Sequence, residues 1–166
     1  VSEDLKDRFT VTAQLGLMAL VIEGVIGILA GVLAGLRKGG FLDNLVLVST
    51  LFVISVPIFV TGFTLQYVLG LKLEIVPALV GAEYTFYSLL LPGFVLGSLS
   101  MAYIARLMRS NIGENFKSDY VRTAKAKGLK QRRIIGVHTL RNSMIPVITF
   151  MGYDFGALLG GAIVTE

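Results

Sequence analysis

The chain has no cysteine, so disulfides and thiolate metal sites are excluded and its redox compartment leaves no trace in the sequence. It has a single histidine, and a metal site or histidine-based catalytic apparatus would have to rest on that one residue. Charge is also scarce: 16% of the 166 residues are charged, against roughly 25% in soluble domains. Hydrophobic residues make up 54%, and the mean hydropathy is +0.76. A chain this apolar cannot cover itself with polar surface, which places it among membrane proteins. Position 1 is Val1 rather than methionine, no signal-peptide pattern precedes the first apolar run, and Glu166 directly follows an apolar stretch. The expectation is an internal piece of a longer protein.

What is present is a set of long apolar runs. Residues 1–9 are mixed in charge and read as a surface lead-in. Four runs follow, at about 10–36, 44–71, 87–108 and 144–164. Each holds the roughly 20 apolar residues needed to cross a hydrocarbon core of about 30 Å. In the first, Gly27, Gly31 and Gly35 recur at every fourth position, a small-residue stripe that lets another helix approach closely. Pro57 near the middle of the second removes a backbone hydrogen bond and predicts a kink. The third carries Pro92, Gly93 and Gly97, and the fourth Pro146, Gly156 and Gly160. Glu23 and Asp154 are acids inside spans, where ionisable groups are rare and often line a pathway. Packing within the bundle is the plainer role for both.

The basic residues set the topology. Ten of the fifteen Lys and Arg lie between Arg106 and Arg141, against two acids, Glu114 and Asp119. Arg37-Lys38 and this connection belong on the cytoplasmic side by the positive-inside rule. The 72–86 loop, with Pro77, Gly81 and Tyr84, then lies outside, and Tyr84 and Tyr87 sit where an interfacial aromatic belt would be.

Within the connection, Ser118-Asp119 has the form of a helix start and Gly128 of a helix stop. A helix of about ten residues, some 15 Å long, is predicted between them. Tyr120 and Ala124, with Val121 beside them, make a compact apolar face suited to docking in a groove on a partner. A second short helix should place Ile134, Val137, His138 and Arg141 on one face before the chain re-enters the membrane at Pro146. Read from composition alone, the plainer role of the charges is to satisfy topology and bind anionic head groups.

These residues resemble the membrane-spanning permease subunits of bacterial ABC importers, in their dipeptide and oligopeptide branch. The resemblance rests on Asp119-Tyr120-Val121-Arg122-Thr123-Ala124-Lys125-Ala126-Lys127-Gly128-Leu129, then His138-Thr139-Leu140-Arg141-Asn142 and Pro146. This is the branch's form of the EAA loop. Arg122-Thr123-Ala124 occupies the Glu-Ala-Ala place and Gly128 is correctly spaced, while the missing glutamate departs from the wider importer family. Leu15-Gly16-Leu17, the Ser55-Val56-Pro57 kink and the closing Gly160–Glu166 stretch also look like this branch, so the resemblance covers nearly the whole chain.

The resemblance implies an all-α integral membrane protein: four transmembrane helices of a permease of about six, with a cytoplasmic loop at 109–143 holding a coupling helix. Asp119, Tyr120, Val121, Arg122, Thr123, Ala124, Lys125, Ala126, Lys127 and Gly128 would contact a cytoplasmic ATPase subunit. His138, Arg141 and Asn142 would support the loop, and Asp154 is a candidate for the substrate path. Partners would be a sister permease subunit, ATPase subunits, an extracytoplasmic substrate-binding protein and membrane lipid, in a bacterial inner membrane. No cofactor, metal or nucleic acid is expected on this chain. ATP and Mg would be held by the partner ATPase, and the chain contains no GxxxxGK[ST] phosphate loop. A bulky residue at Ala124 or Gly128 is expected to abolish transport while insertion is intact. Two other classes compete. One is a membrane-anchored protein that binds anionic lipid or nucleic acid through residues 106–141. The other is an intramembrane enzyme built on Asp154 and Glu23.

Overall fold

The computed structural model describes residues 2–77 and 85–165, with side chains described over 9–77 and 85–159. Gly81 and Tyr84 fall outside the described residues, as does the environment of Gly160. Among the described residues all regular secondary structure is helical and there is no strand. Helix α1 spans Ser2–Leu36, α2 Phe41–Ser55, α3 Ile58–Leu65, α4 Leu90–Asn115, α5 Asp119–Ala126, α6 Gln131–Arg133 and α7 Arg141–Thr165. Two π-helical turns, Gln66–Lys72 after α3 and Ile134–Leu140 before α7, join the set.

Two of these helices are long and apolar enough to cross a membrane, Phe9–Leu36 of α1 and Leu90–Asn115 of α4. A third candidate is split. The run expected at 44–71 is not one rod: α2 ends at Ser55, Val56 and Pro57 are extended, and α3 with its π turn leaves at 102°. Proline forces this break because its ring excludes the preceding turn of helix and its nitrogen has no proton to donate. Ser55 turns its hydroxyl back to the Leu51 carbonyl at 2.7 Å, closing the last turn before the break.

α1 and α4 form the main contact of the bundle. The glycine stripe explains their proximity. A Cβ placed on Gly27, Gly31 or Gly35 would come within 2.9 Å of α4 side chains or backbone. Gly97 of α4 answers from the other side, with the Ala19 carbonyl 3.0 Å from the position a Cβ would take. Close approach then lets α4 bury Ile104, Met108 and Ile112 together with Val147 of α7. Ile28, Val32 and Leu36 of α1 and Met144, Phe150 and Met151 of α7 close around them. The outward surfaces of α1, α2 and α3 carry exposed Leu, Val and Phe side chains, as lipid-facing helices do.

α4 does not stop at 108, the predicted end of the third span. It continues to Asn115, so seven more residues, about 10 Å of rise, project past the apolar segment. That extension carries Arg109, Asn111 and Asn115.

Candidate functional site

The basic connection folds into a polar elbow at one end of the bundle, built on the extension of α4. The chain leaves Asn115, turns, and enters α5 at Ser118, which has extended backbone angles as an N-cap residue should. Ser118 does not cap with its side chain. Its hydroxyl donates to the Asn115 carbonyl instead, tying the helix start to the end of α4. Asp119 occupies the first turn, where a negative charge suits the helix dipole.

The C-terminus of α5 closes as the sequence pattern requires. Gly128 has φ +72°, a left-handed conformation that favours glycine. The Leu129 N–H donates to the Ala124 carbonyl at 3.2 Å, and the Gly128 N–H to the Lys125 carbonyl at 2.9 Å. Those two bonds make a Schellman stop, and Leu129 supplies the apolar contact that accompanies it.

The face of α5 that turns inward holds residues of the apolar face expected to dock. Val121 is 0% exposed and Ala124 5%, packed with Ile134 under Phe116 and Leu129. The apolar residues expected at a partner groove are thus used to seat α5 on its own loop. Tyr120 keeps partial exposure. Asp119, Arg122, Thr123, Lys125, Ala126, Lys127 and Gly128 are also exposed. Arg122 and Asp119 pair at 3.5 Å on this open face, a contact worth little because both side chains are solvated.

The second short helix also differs. Its 3.6-residue reading grouped Ile134 with Val137, His138 and Arg141. The residues from Ile134 to Leu140 form a π turn, in which positions five apart align. The buried line therefore runs Ile134, Thr139, Ser143, Val147, while Val137 is half exposed and Arg141 and Asn142 are exposed. His138 is half-buried. The polar contacts that join the elbow are made by residues other than His138, Arg141 and Asn142, from which support of the loop was expected.

Those residues are Asn111, Asn115 and Ser143. The Asn115 amide donates to the Asn111 carbonyl at 2.9 Å and to the Ser143 hydroxyl at 2.9 Å. Its carbonyl oxygen accepts from the Tyr120 hydroxyl of α5. Ser143, fully buried, passes its own proton to the Thr139 carbonyl at 2.8 Å, and its backbone carbonyl accepts from Asn111 at 3.4 Å. One carboxamide thus joins α4, α5 and α7. No local signal marked it in the sequence, since Asn115 and Ser143 lie 28 positions apart within the same polar connection.

A second polar clamp stands beside the elbow. Asp43 at the start of α2 is 2% exposed and accepts from Arg109 through both carboxylate oxygens, the Nη2–Oδ2 bond measuring 2.9 Å. Asp43 Oδ2 also accepts from the Gly39 N–H at 2.7 Å. The turn at 37–40 is thereby fixed to α4. Bidentate geometry of this kind is what arginine supplies and lysine does not.

Within the bundle, the fold brings together the two acids that sequence placed on separate spans. Glu23 of α1 is 0% exposed and lies near half-buried Asp154 of α7, and neither Glu23 carboxylate oxygen has a hydrogen-bond partner among the described residues. The described residues contain no group of three or more His, Cys, Asp or Glu arranged to hold a metal ion.

Comparison with known proteins agrees with this architecture. The family model for "binding-protein-dependent transport system inner membrane component" matches residues 27–166. The chain is 37% identical to the di/tripeptide transport system permease protein of Pseudomonas aeruginosa, over 95% of this chain and 55% of that protein. It is 40% identical to the dipeptide transport system permease protein of Bacillus subtilis, over 100% of this chain and 53% of that one. The glutathione transport system permease protein of Escherichia coli is 36% identical, over 100% of this chain and 54% of its own length. The chain therefore spans about half the length of the curated relatives it matches. Helices apolar enough to cross a bilayer and a family of inner-membrane transport components make it an integral membrane protein. The chain belongs to the family of binding-protein-dependent transport system inner membrane components, in the branch that holds the dipeptide permeases.

Proposed function

We propose that this chain is part of the membrane-spanning subunit of an ATP-driven importer of short peptides in a bacterial inner membrane, and that α5 is its coupling helix. The observation that carries the reading is the way α5 is held. Its apolar side is seated on the loop and its outer side is open, polar and basic. A helix anchored on one face and free on the other can be gripped by a partner and can pass a force inward. The partner would be a cytoplasmic ATPase subunit. That subunit holds ATP and Mg, and this chain supplies no catalytic group. Basic residues on the open face favour an acidic cleft.

A sister permease subunit would complete the pore, and an extracytoplasmic binding protein would deliver the substrate. Lipid covers the exposed apolar faces. The second and fourth apolar segments would also cross, giving four spans, with α2 and α3 forming one bent crossing. The relatives are named for dipeptides, tripeptides and glutathione, all short peptides, so a short peptide is the substrate class assigned here. Asp154, half-buried and acidic, would present its carboxylate to the amino group of a passing peptide.

The test is a disulfide cross-link. Residues 1–166 hold no cysteine, so Lys125→Cys places the one thiol of this segment on the open face. Ala124, the position that sequence alone favours, faces inward. In the full-length protein assembled with its ATPase, Lys125→Cys should cross-link to a cleft cysteine on the ATPase, with a yield that changes on adding ATP. No cross-link at any cleft position in a correctly inserted complex refutes the coupling role. Neutralising Lys125, Lys127, Lys130, Arg132 and Arg133 separates the alternative. A lipid-binding surface would then lose salt-dependent binding to anionic vesicles.

A further inference from the structure

The elbow holds a residue whose geometry goes beyond the grip on α5. We propose that Asn115 is the joint through which α5 and the membrane-proximal ends of α4 and α7 move as one body. The inference rests on the coupling role of α5 and assigns a positioning residue within it.

Every polar atom of the Asn115 side chain is committed, and each to a different segment. One amide proton goes to the Asn111 carbonyl on α4 and the other to Ser143 Oγ on α7, both at 2.9 Å. The carbonyl oxygen takes the Tyr120 proton from α5. Ser143 can accept from Asn115 because its own proton is spent on the Thr139 carbonyl at 2.8 Å. Donors and acceptors therefore run in one direction with none duplicated. Ser118 adds a bond from the start of α5 to the Asn115 main chain. Val121 and Ala124 pack α5 against Ile134, Phe116 and Leu129, a cluster that includes no residue of α4 or α7, which leaves the tilt of α5 against those helices to polar contacts. The carboxamide supplies those contacts. Asparagine is suited to this place because it has donors and an acceptor on one short, stiff side chain. Aspartate has the same shape without the donors.

The test measures distances in the assembled full-length importer by spin-label spectroscopy, without nucleotide and with ATP–vanadate. Labels on Lys125→Cys with Ser110→Cys report α5 against α4, and labels on Ser110→Cys with Ile145→Cys report α4 against α7. All three positions are exposed. In the parent background neither distance should change between the two states. Tyr120→Phe should shift the first distance with ATP–vanadate and leave the second fixed. Ser143→Ala and Asn115→Asp should shift the second. A role in packing alone would change distances equally in both nucleotide states, and that result overturns the joint. So does a Tyr120→Phe variant whose α5–α4 distance stays constant, or a parent in which α5 already moves against α4. The coupling role itself is read separately. Absence of the Lys125→Cys cross-link to the ATPase in the parent refutes it, whereas a cross-link with an unshifted Tyr120→Phe refutes only the joint.

Discussion

Adding one methyl group to Gly31 should separate the two central helices. A Cβ there would lie 2.6 Å from the Ala105 backbone carbonyl and 2.6 Å from Met108 Cβ, where ordinary contact begins near 3.4 Å. A side-chain end can swing away, but a helix carbonyl cannot. The axes of α1 and α4 must therefore part by something near the shortfall of about 0.8 Å. A gap of that size forfeits roughly a quarter to a half of each dispersion contact along the seam. Overpacking of this kind costs about 1–3 kcal/mol. Gly16→Ala is the matched control. Its Cβ would meet Phe155 at 3.8 Å, an ordinary contact. Both substitutions share the intrinsic helix gain of alanine over glycine, about 1 kcal/mol, which cancels in the comparison. Thermal unfolding of the purified full-length protein in detergent should rank Gly31→Ala well below Gly16→Ala, with Gly27→Ala and Gly35→Ala beside Gly31→Ala. If Gly31→Ala melts with Gly16→Ala, the close α1–α4 approach is wrong.

Three further outcomes follow from the same geometry. Asp43→Ala leaves Arg109 without its bidentate partner and should cost roughly 1–2 kcal/mol. The double variant with Arg109→Ala should recover part of the melting temperature, and an additive loss would refute the pair. Gly128→Ala should cost about 1 kcal/mol through its left-handed backbone and reduce transport without abolishing it. In stability Gly128→Leu should match it, because no atom of this chain lies within 4 Å of the added Cβ, and a much larger loss of stability for leucine would contradict that open space. Whether leucine there also abolishes transport, as expected of a helix docked on a partner, is read separately by uptake. Finally, Gly40→Cys and Glu74→Cys should be labelled by an impermeant maleimide from opposite sides of the membrane. Labelling from one side would make the α2–α3 pair, bent by 102°, a re-entrant loop.

Much of this protein is legible in its sequence because membrane burial acts on composition. Scarce charge, long apolar runs and clustered Lys and Arg follow from the cost of polar groups in hydrocarbon, which is paid residue by residue. Gly128 is legible for the same kind of reason, since a helix stop is a local backbone event. The glycines at 27, 31 and 35 are visible too, although the sequence could not say that α4 lies against them. What tertiary structure decided depends on which residues meet. The sequence-based helical face of α5 contained the right residues, but whether Val121 and Ala124 faced a partner or their own loop turned on where Ile134 lay. That in turn depended on a π turn, whose extra residue per turn shifts the buried line from Val137 to Thr139. Asn115 with Ser143 and Asp43 with Arg109 join residues 28 and 66 positions apart. Hydrogen bonds between side chains carry no local signature, because their geometry exists only after hydrophobic packing has set the helices in place.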